Sequence, residues 1–162
     1  MLEFIEKFSY FGLFLILFVE EAGIFLPIPG DVFIATVSAL PNSNYFLVIF
    51  TVTLASSIGS IILFTLAKKF GRNFLKKYGR HIKITPDKIK KLEKWFKKYG
   101  GATIVIGRLI PGLRIVTPFA AGLFGVTYKT FWLYTAIAAL IWANVYWVIG
   151  NFFGEFLKKL NL

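Results

Sequence analysis

Two apolar regions of this chain are each broken by charge and by a Pro-Gly step. Neither can cross a bilayer as one straight helix. In the first, Glu20 and Glu21 precede Pro27, Pro29 and Gly30, and Asp31 follows them. In the second, Arg108 and Arg114 flank Pro111 and Gly112. A charge at the centre of a bilayer costs about 2.5–3.5 kcal/mol on insertion scales. Such residues face a bundle interior or a wet cavity and mark the path of something polar. Proline and glycine end or kink helices. Each region therefore reads as two half-helices around a break, a re-entrant hairpin, over residues 8–40 and 102–126. Irregular backbone at that depth is tolerated only where it is buried in protein or lines water. Function is expected where the two breaks meet.

Two other stretches can span. A helix needs about 20 apolar residues to cross ~30 Å of hydrocarbon. Residues 46–67 and 130–153 are uncharged from end to end. Trp132, Tyr134, Tyr146 and Trp147 suit interface belts, whereas Trp142 is too central and reads as packed or pathway-lining. The mean hydropathy of +0.69 and 57% hydrophobic content favour a membrane protein over a water-soluble core. The expected fold is an all-α polytopic membrane protein forming one domain over 1–162. Two facing re-entrant hairpins are each followed by a full transmembrane helix, and a basic amphipathic helix joins the halves. Paired broken helices in matching positions of two halves point to a transport site near the midplane.

Thirteen of the 19 Lys and Arg residues lie between Lys68 and Lys98, inside the linker 68–100. A short basic loop between apolar segments reads as cytoplasmic. The turn at Pro41–Tyr45 is then outside; the first hairpin dips in from outside and the second from the cytoplasm. Lys158 and Lys159 would fall outside, against the charge rule. A plain four-span alternative strands the apolar Asp31–Leu40 stretch in water. Within the linker, Thr85 is placed to cap a helix over 86–99, with Pro86 at its first position and Asp87 in its first turn. Ile89, Leu92, Trp95, Phe96 and Tyr99 recur at helical spacing among lysines, the pattern of a helix resting in the headgroup plane. It serves either to anchor the orientation or to capture anionic headgroups.

Other chemistries find little support. The chain has no Cys, and His81 is its lone histidine, read as a surface residue. Glu20, Glu21 and Asp31 could in principle hold a metal, but no His joins them, so neither metal nor cofactor is expected. No nucleophile–base constellation points to an enzyme. The basic run adjoins membrane segments and matches no nucleic-acid-binding fold. The first apolar stretch runs into Glu20 without a small-residue cleavage site and reads as mature structure.

The segment Phe14 to Glu20, then Gly23 and Pro27-Ile28-Pro29-Gly30-Asp31, resembles the acidic motif of the DedA family. This family is also called the SNARE-associated or VTT-domain family. Arg108-Leu109-Ile110-Pro111-Gly112-Leu113-Arg114, followed by Ala121-Gly122, resembles its second motif. The likeness covers roughly residues 10 to 153. It implies facing re-entrant loops and the movement of lipids across bilayers, a phospholipid or a polyprenyl phosphate, with protons as coupling partners. By motif match Glu20 and Asp31 take the acidic roles and Arg108 and Arg114 the basic ones, while Glu21 is an extra acid. Ser60, Phe64 and Ala67 stand where many relatives carry an acid, a tyrosine and a glycine. Many relatives also continue into a further hydrophobic helix beyond the point corresponding to Leu162. A prokaryotic plasma membrane is the implied location, with a homo-oligomer left open.

The resulting expectation is a lipid flippase or scramblase. Arg108 and Arg114 offer planar forks that suit phosphate. Glu20, Glu21 and Asp31 would neutralise them when the site is empty and could couple to protons. Two competing readings stay open: a proton-coupled ion or solute transporter, and charges that only pair to hold the hairpins together.

Overall fold

The computed structural model describes residues 2–24, 26, 27, 29–78, 85–110 and 112–159. Pro111 and His81 lie outside them. The described residues form seven α-helices and no strand. These are α1 (Leu2–Glu21), α2 (Gly30–Ser38), α3 (Tyr45–Tyr78), α4 (Pro86–Tyr99), α5 (Ala102–Leu109), α6 (Val116–Leu123) and α7 (Tyr128–Lys159).

Local sequence explains the boundaries. Pro29 precedes α2 in an extended conformation, and Pro86 begins α4 behind Thr85, whose hydroxyl accepts from the Lys88 amide. Gly100 takes a φ of 56° just past α4, a geometry that favours glycine. The first apolar helix does not stop before its charges. α1 runs on through Glu20 and Glu21. Glutamate is a good helix former, and both carboxylates find partners, so the chain breaks only beyond them. α3 likewise continues past the apolar stretch into Lys68 and Lys69, with non-helical backbone at Gly71 (φ 48°, ψ −128°).

Two helices are long and apolar enough to cross a membrane, Tyr45–Gly71 in α3 and Tyr128–Phe156 in α7. They run antiparallel: Phe64 stacks on Phe131 with centroids 4.1 Å apart, and Tyr45 meets Trp147 edge-on at 5.4 Å. Their outer faces carry exposed Phe46, Phe50, Trp132, Leu133, Val148 and Phe152. An apolar patch of that extent marks contact with protein or membrane.

The shorter helices pack around this pair. Leu13 and Leu17 of α1 join Ile34 of α2 and Val48 and Val52 of α3 in one cluster. Ile104, Ala121, Phe64 and Phe131 bring α5 and α6 onto α3 and α7. Two crossings are close. A Cβ added at Gly59 would stand 2.8 Å from the Glu21 Cβ, and one at Gly122 would stand 2.9 Å from the Ala67 Cβ and against the Phe64 carbonyl. Small residues let helix backbones meet where apolar side chains gain nothing by leaving lipid. The Ala67 methyl thus closes on the glycine of the facing helix.

α4 forms where its spacing indicates, but its apolar face is not free for lipid. Ile89 and Leu92 are buried against Ala67, Val116, Phe119 and Ala120, with Trp95 and Phe96 alongside. Tyr99 is left outside at 45% exposure. α4 thus covers one side of α6 and the end of the apolar stretch of α3.

Gly122→Ala should destabilise the protein by about 1–3 kcal/mol through overpacking. Gly12 in α1 has nothing within 4 Å of an added Cβ. Gly12→Ala should therefore stabilise by roughly 0.5–1 kcal/mol. Thermal unfolding in detergent, with both variants side by side, measures the contrast.

Candidate functional site

The charges of the two broken regions converge on one point. Glu21, at the end of α1, is 1% exposed and faces both arginines. Arg108 Nη2 donates to its Oε2 at 3.0 Å, and Arg114 Nε donates to its Oε1 at 2.6 Å. Arg114 extends the chain of contacts by donating from Nη1 to Asp31 Oδ1 at 2.6 Å. Its guanidinium also lies 5.1 Å from the Trp142 ring centroid, a cation–π distance.

Two uncharged side chains complete the cluster. Ser56 of α3 accepts from Arg108 Nη2 at 2.6 Å and donates to Glu21 Oε1 at 3.1 Å. The Trp142 indole of α7 donates to Asp31 Oδ1 at 2.8 Å. Both long helices therefore hold the charges in place. Trp142 is the central residue of the Tyr128–Phe156 stretch, and Ser56 lies within one turn of the centre of Tyr45–Gly71. The cluster is thus level with the middle of both candidate spans.

Pairing is incomplete at one atom. Arg108 is 3% exposed, and its Nη1 is buried without a partner. Arg108, Arg114, Ser56, Trp142, Ala138 and Ala139 line a cavity of about 10 Å³. A single water needs roughly 10–15 Å³. The pocket fits such a molecule and nothing larger.

The remaining residues singled out in the sequence take different places. Glu20 bonds no arginine. Its Oε2 accepts from the Gly30 amide at 3.0 Å, at the start of α2. A carboxylate there satisfies an orphan N–H and faces the positive end of the helix dipole. Gly30 is buried, and a Cβ there would strike that carboxylate, so the missing side chain makes room for the contact. Pro27, Pro29 and Gly112 lie in the breaks; Gly112 has φ 79°. Among the described residues no group of His, Cys, Asp and Glu is arranged to hold a metal ion.

The motif match put Glu20 in the leading acidic role, whereas the geometry centres on Glu21. Consecutive helical residues point about 100° apart, and Glu21 is the one that hydrogen-bonds the arginines. Sequence reasoning missed Ser56 altogether and the indole hydrogen bond of Trp142. The available signal was a polar Ser56-Ser57 pair inside an otherwise apolar span. Ser60 is fully buried and returns its hydroxyl to the Ser56 carbonyl at 2.7 Å. Phe64, in place of a tyrosine, is buried in the aromatic stack with Phe131.

The VTT domain family matches residues 28–152. The uncharacterized membrane protein YbfM of Bacillus subtilis is 33% identical over 155 residues, covering 94% of each chain. Protein DedA of Escherichia coli K12 is 30% identical over 90% of this chain and 68% of its own. Undecaprenyl phosphate transporter A of Staphylococcus aureus is 32% identical over 86% of this chain and 71% of its own. No solved structure matches. A family match over most of the chain, and relatives at this identity aligned over most of both sequences, show that the chain belongs to the DedA family of VTT-domain membrane proteins.

Proposed function

We propose that this protein carries the phosphate headgroup of a lipid across a prokaryotic plasma membrane, by way of the cluster around Glu21. The observation that carries the reading is the convergence of two arginines on a single buried anion at mid-depth. Arginine forks bind phosphate as they bind carboxylate. Glu21 occupies the place between them that a lipid phosphate would take. A relative named as an undecaprenyl phosphate transporter makes polyprenyl phosphate a first candidate cargo, with phospholipid the second.

In this reading α1–α2 and α5–α6 are re-entrant hairpins that enter from opposite faces of one membrane domain. Contact register supports it. Tyr10 of α1 meets Asn44 before α3, while Phe18 and Glu21 lie by Gly59, so α1 approaches from the end where α3 begins. Gly101 adjoins Thr130 and Tyr134 near the start of α7, and Arg108 lies by Ala138 and Ala139, so α5 approaches from the other end. The basic segment after α3 is cytoplasmic in this topology.

Charge balance suggests how transport proceeds. Two arginines face Glu21 and Asp31, so the paired cluster is neutral. An entering headgroup anion breaks that balance unless a carboxylate leaves or takes up a proton. One proton per headgroup charge keeps the site neutral, which couples lipid movement to a pH gradient. A proton-coupled solute transporter would use the same cluster, and the cargo separates the two.

Headgroup movement in proteoliposomes, with fluorescent phospholipid and polyprenyl phosphate, tests the proposal. Wild type should move one of them, faster under a pH gradient. Arg108→Ala and Arg114→Ala should lose at least about tenfold in rate, or ~1.4 kcal/mol of barrier. No movement of either lipid, or unchanged rates in both variants, overturns the reading.

A purely structural role for the charges is separated by stability. Glu21→Gln alone should cost about 3–5 kcal/mol, because buried guanidinium is left uncompensated. Adding Arg108→Met should recover much of that, since apolar replacement of a buried pair is often neutral. The double variant should be folded and inactive; a folded and active one would reduce the pair to a structural strut.

A further inference from the structure

The contact between α2 and α7 creates a groove that adjoins the charge cluster at Asp31. The two helices run in the same direction at a constant offset. Asp31 shares a cavity wall with Tyr146, a Cβ on Gly150 would strike the Ala35 carbonyl, and one on Gly154 would lie 3.0 Å from the Ala39 carbonyl. Gly150 and Gly154 are four apart, as are Ala35 and Ala39, so small residues meet along the whole seam. The backbones close the floor, and above it lies an open groove of about 540 Å³. That volume falls within the ~300–1,000 Å³ usual for small-molecule sites.

Its walls suit hydrocarbon. Val32 on α2 and Ile149 and Phe153 on α7 line it, and the hydroxyl of Thr36 is turned back to the Val32 carbonyl at 2.8 Å. Its polar end is Asp31, whose side chain is 25% exposed. The same carboxylate oxygen receives Arg114 and Trp142. The groove therefore starts at the charged cluster and leads away along apolar walls. From Asp31 to Ala39 it follows about 12 Å of helix at 1.5 Å per residue. One leaflet of hydrocarbon is about 15 Å deep, half of ~30 Å. Helices in contact lie roughly 8–10 Å apart, which makes the space between their rims a narrow slot.

We infer that this groove seats the hydrocarbon chain of a single-chain lipid phosphate, a polyprenyl phosphate, whose head meets Arg114 at Asp31. The inference rests on the headgroup reading of the cluster. It adds a site of its own: the chain is recognised, not merely left in bulk lipid. The inference commits to one chain in this slot, so a two-chain lipid should bind more weakly.

Binding to the purified protein in nanodiscs tests it, with undecaprenyl monophosphate, phosphatidic acid and methyl phosphate as probes. Val32 is 51% exposed and Thr36 is also exposed, so Val32→Trp and Thr36→Trp fill the groove from its rim without entering the core. Both should keep the wild-type melting temperature and lose about tenfold or more in affinity for undecaprenyl monophosphate, as burial of the chain is lost. Methyl phosphate, which has no chain, should bind wild type and tryptophan variants alike. Unchanged undecaprenyl monophosphate binding in both tryptophan variants overturns the groove. So does phosphatidic acid binding as tightly as undecaprenyl monophosphate, or a tryptophan variant that splits a dimer, which would make the groove an interface between copies. Arg114→Ala separates the two proposals. If it abolishes binding while the tryptophan variants do not, only the groove falls. If it leaves binding intact, the headgroup reading falls with it.

Discussion

The structure depends on one buried carboxylate shared between two guanidinium groups. Taking a charge out of water costs several kcal/mol per ion, and attraction offsets this only when geometry is good and remaining polar atoms are satisfied. Glu21 meets those terms: both oxygens accept from arginine, and Ser56 adds a third donor. Each partner comes from a different part of the chain. Glu21 ends α1, Ser56 is in α3, Arg108 is in α5 and Arg114 lies between α5 and α6. The two broken regions are tied to α3 by this contact.

That interaction also sets what can be varied. Arg108 retains one buried unpaired nitrogen beside a cavity of water size. A fully satisfied network would be a strut; one with a donor to spare can exchange partners. Asp31 differs from Glu21 in keeping a quarter of its side chain exposed, at the end of an apolar groove. Glu20 is spent elsewhere, as the acceptor for the first amide of α2. Three carboxylates close in sequence thus do three different things, set by which way each helical position faces.

Packing obeys the same economy. Apolar side chains gain nothing by leaving lipid for each other, so close contact must come from small residues and polar bonds. Gly59 of α3 against α1, Gly122 of α6 against α3, and the Ala35–Gly150 and Ala39–Gly154 contacts between α2 and α7 are where backbones approach. α4 is the exception. It is basic on one face, yet its apolar face is buried against α3 and α6 by ordinary side-chain packing.

Much of the helix plan was legible in the residues. The two uncharged stretches become α3 and α7, Pro29 and Gly112 fall between helices, and Thr85-Pro86-Asp87 starts α4 where capping chemistry requires. These features are local: helix length, breakers and caps act within a few residues, so the sequence alone determines them. The extent of α1 through its glutamates was not legible, because a charged pair after an apolar run signals an end unless its partners are known. The choice of Glu21 over Glu20, the recruitment of Ser56 and Trp142, and the covering of α4 were decided only by tertiary structure. Each depends on which helix faces arrive at the same place, and that follows from packing between segments as many as 111 residues apart, as for Trp142 and Asp31.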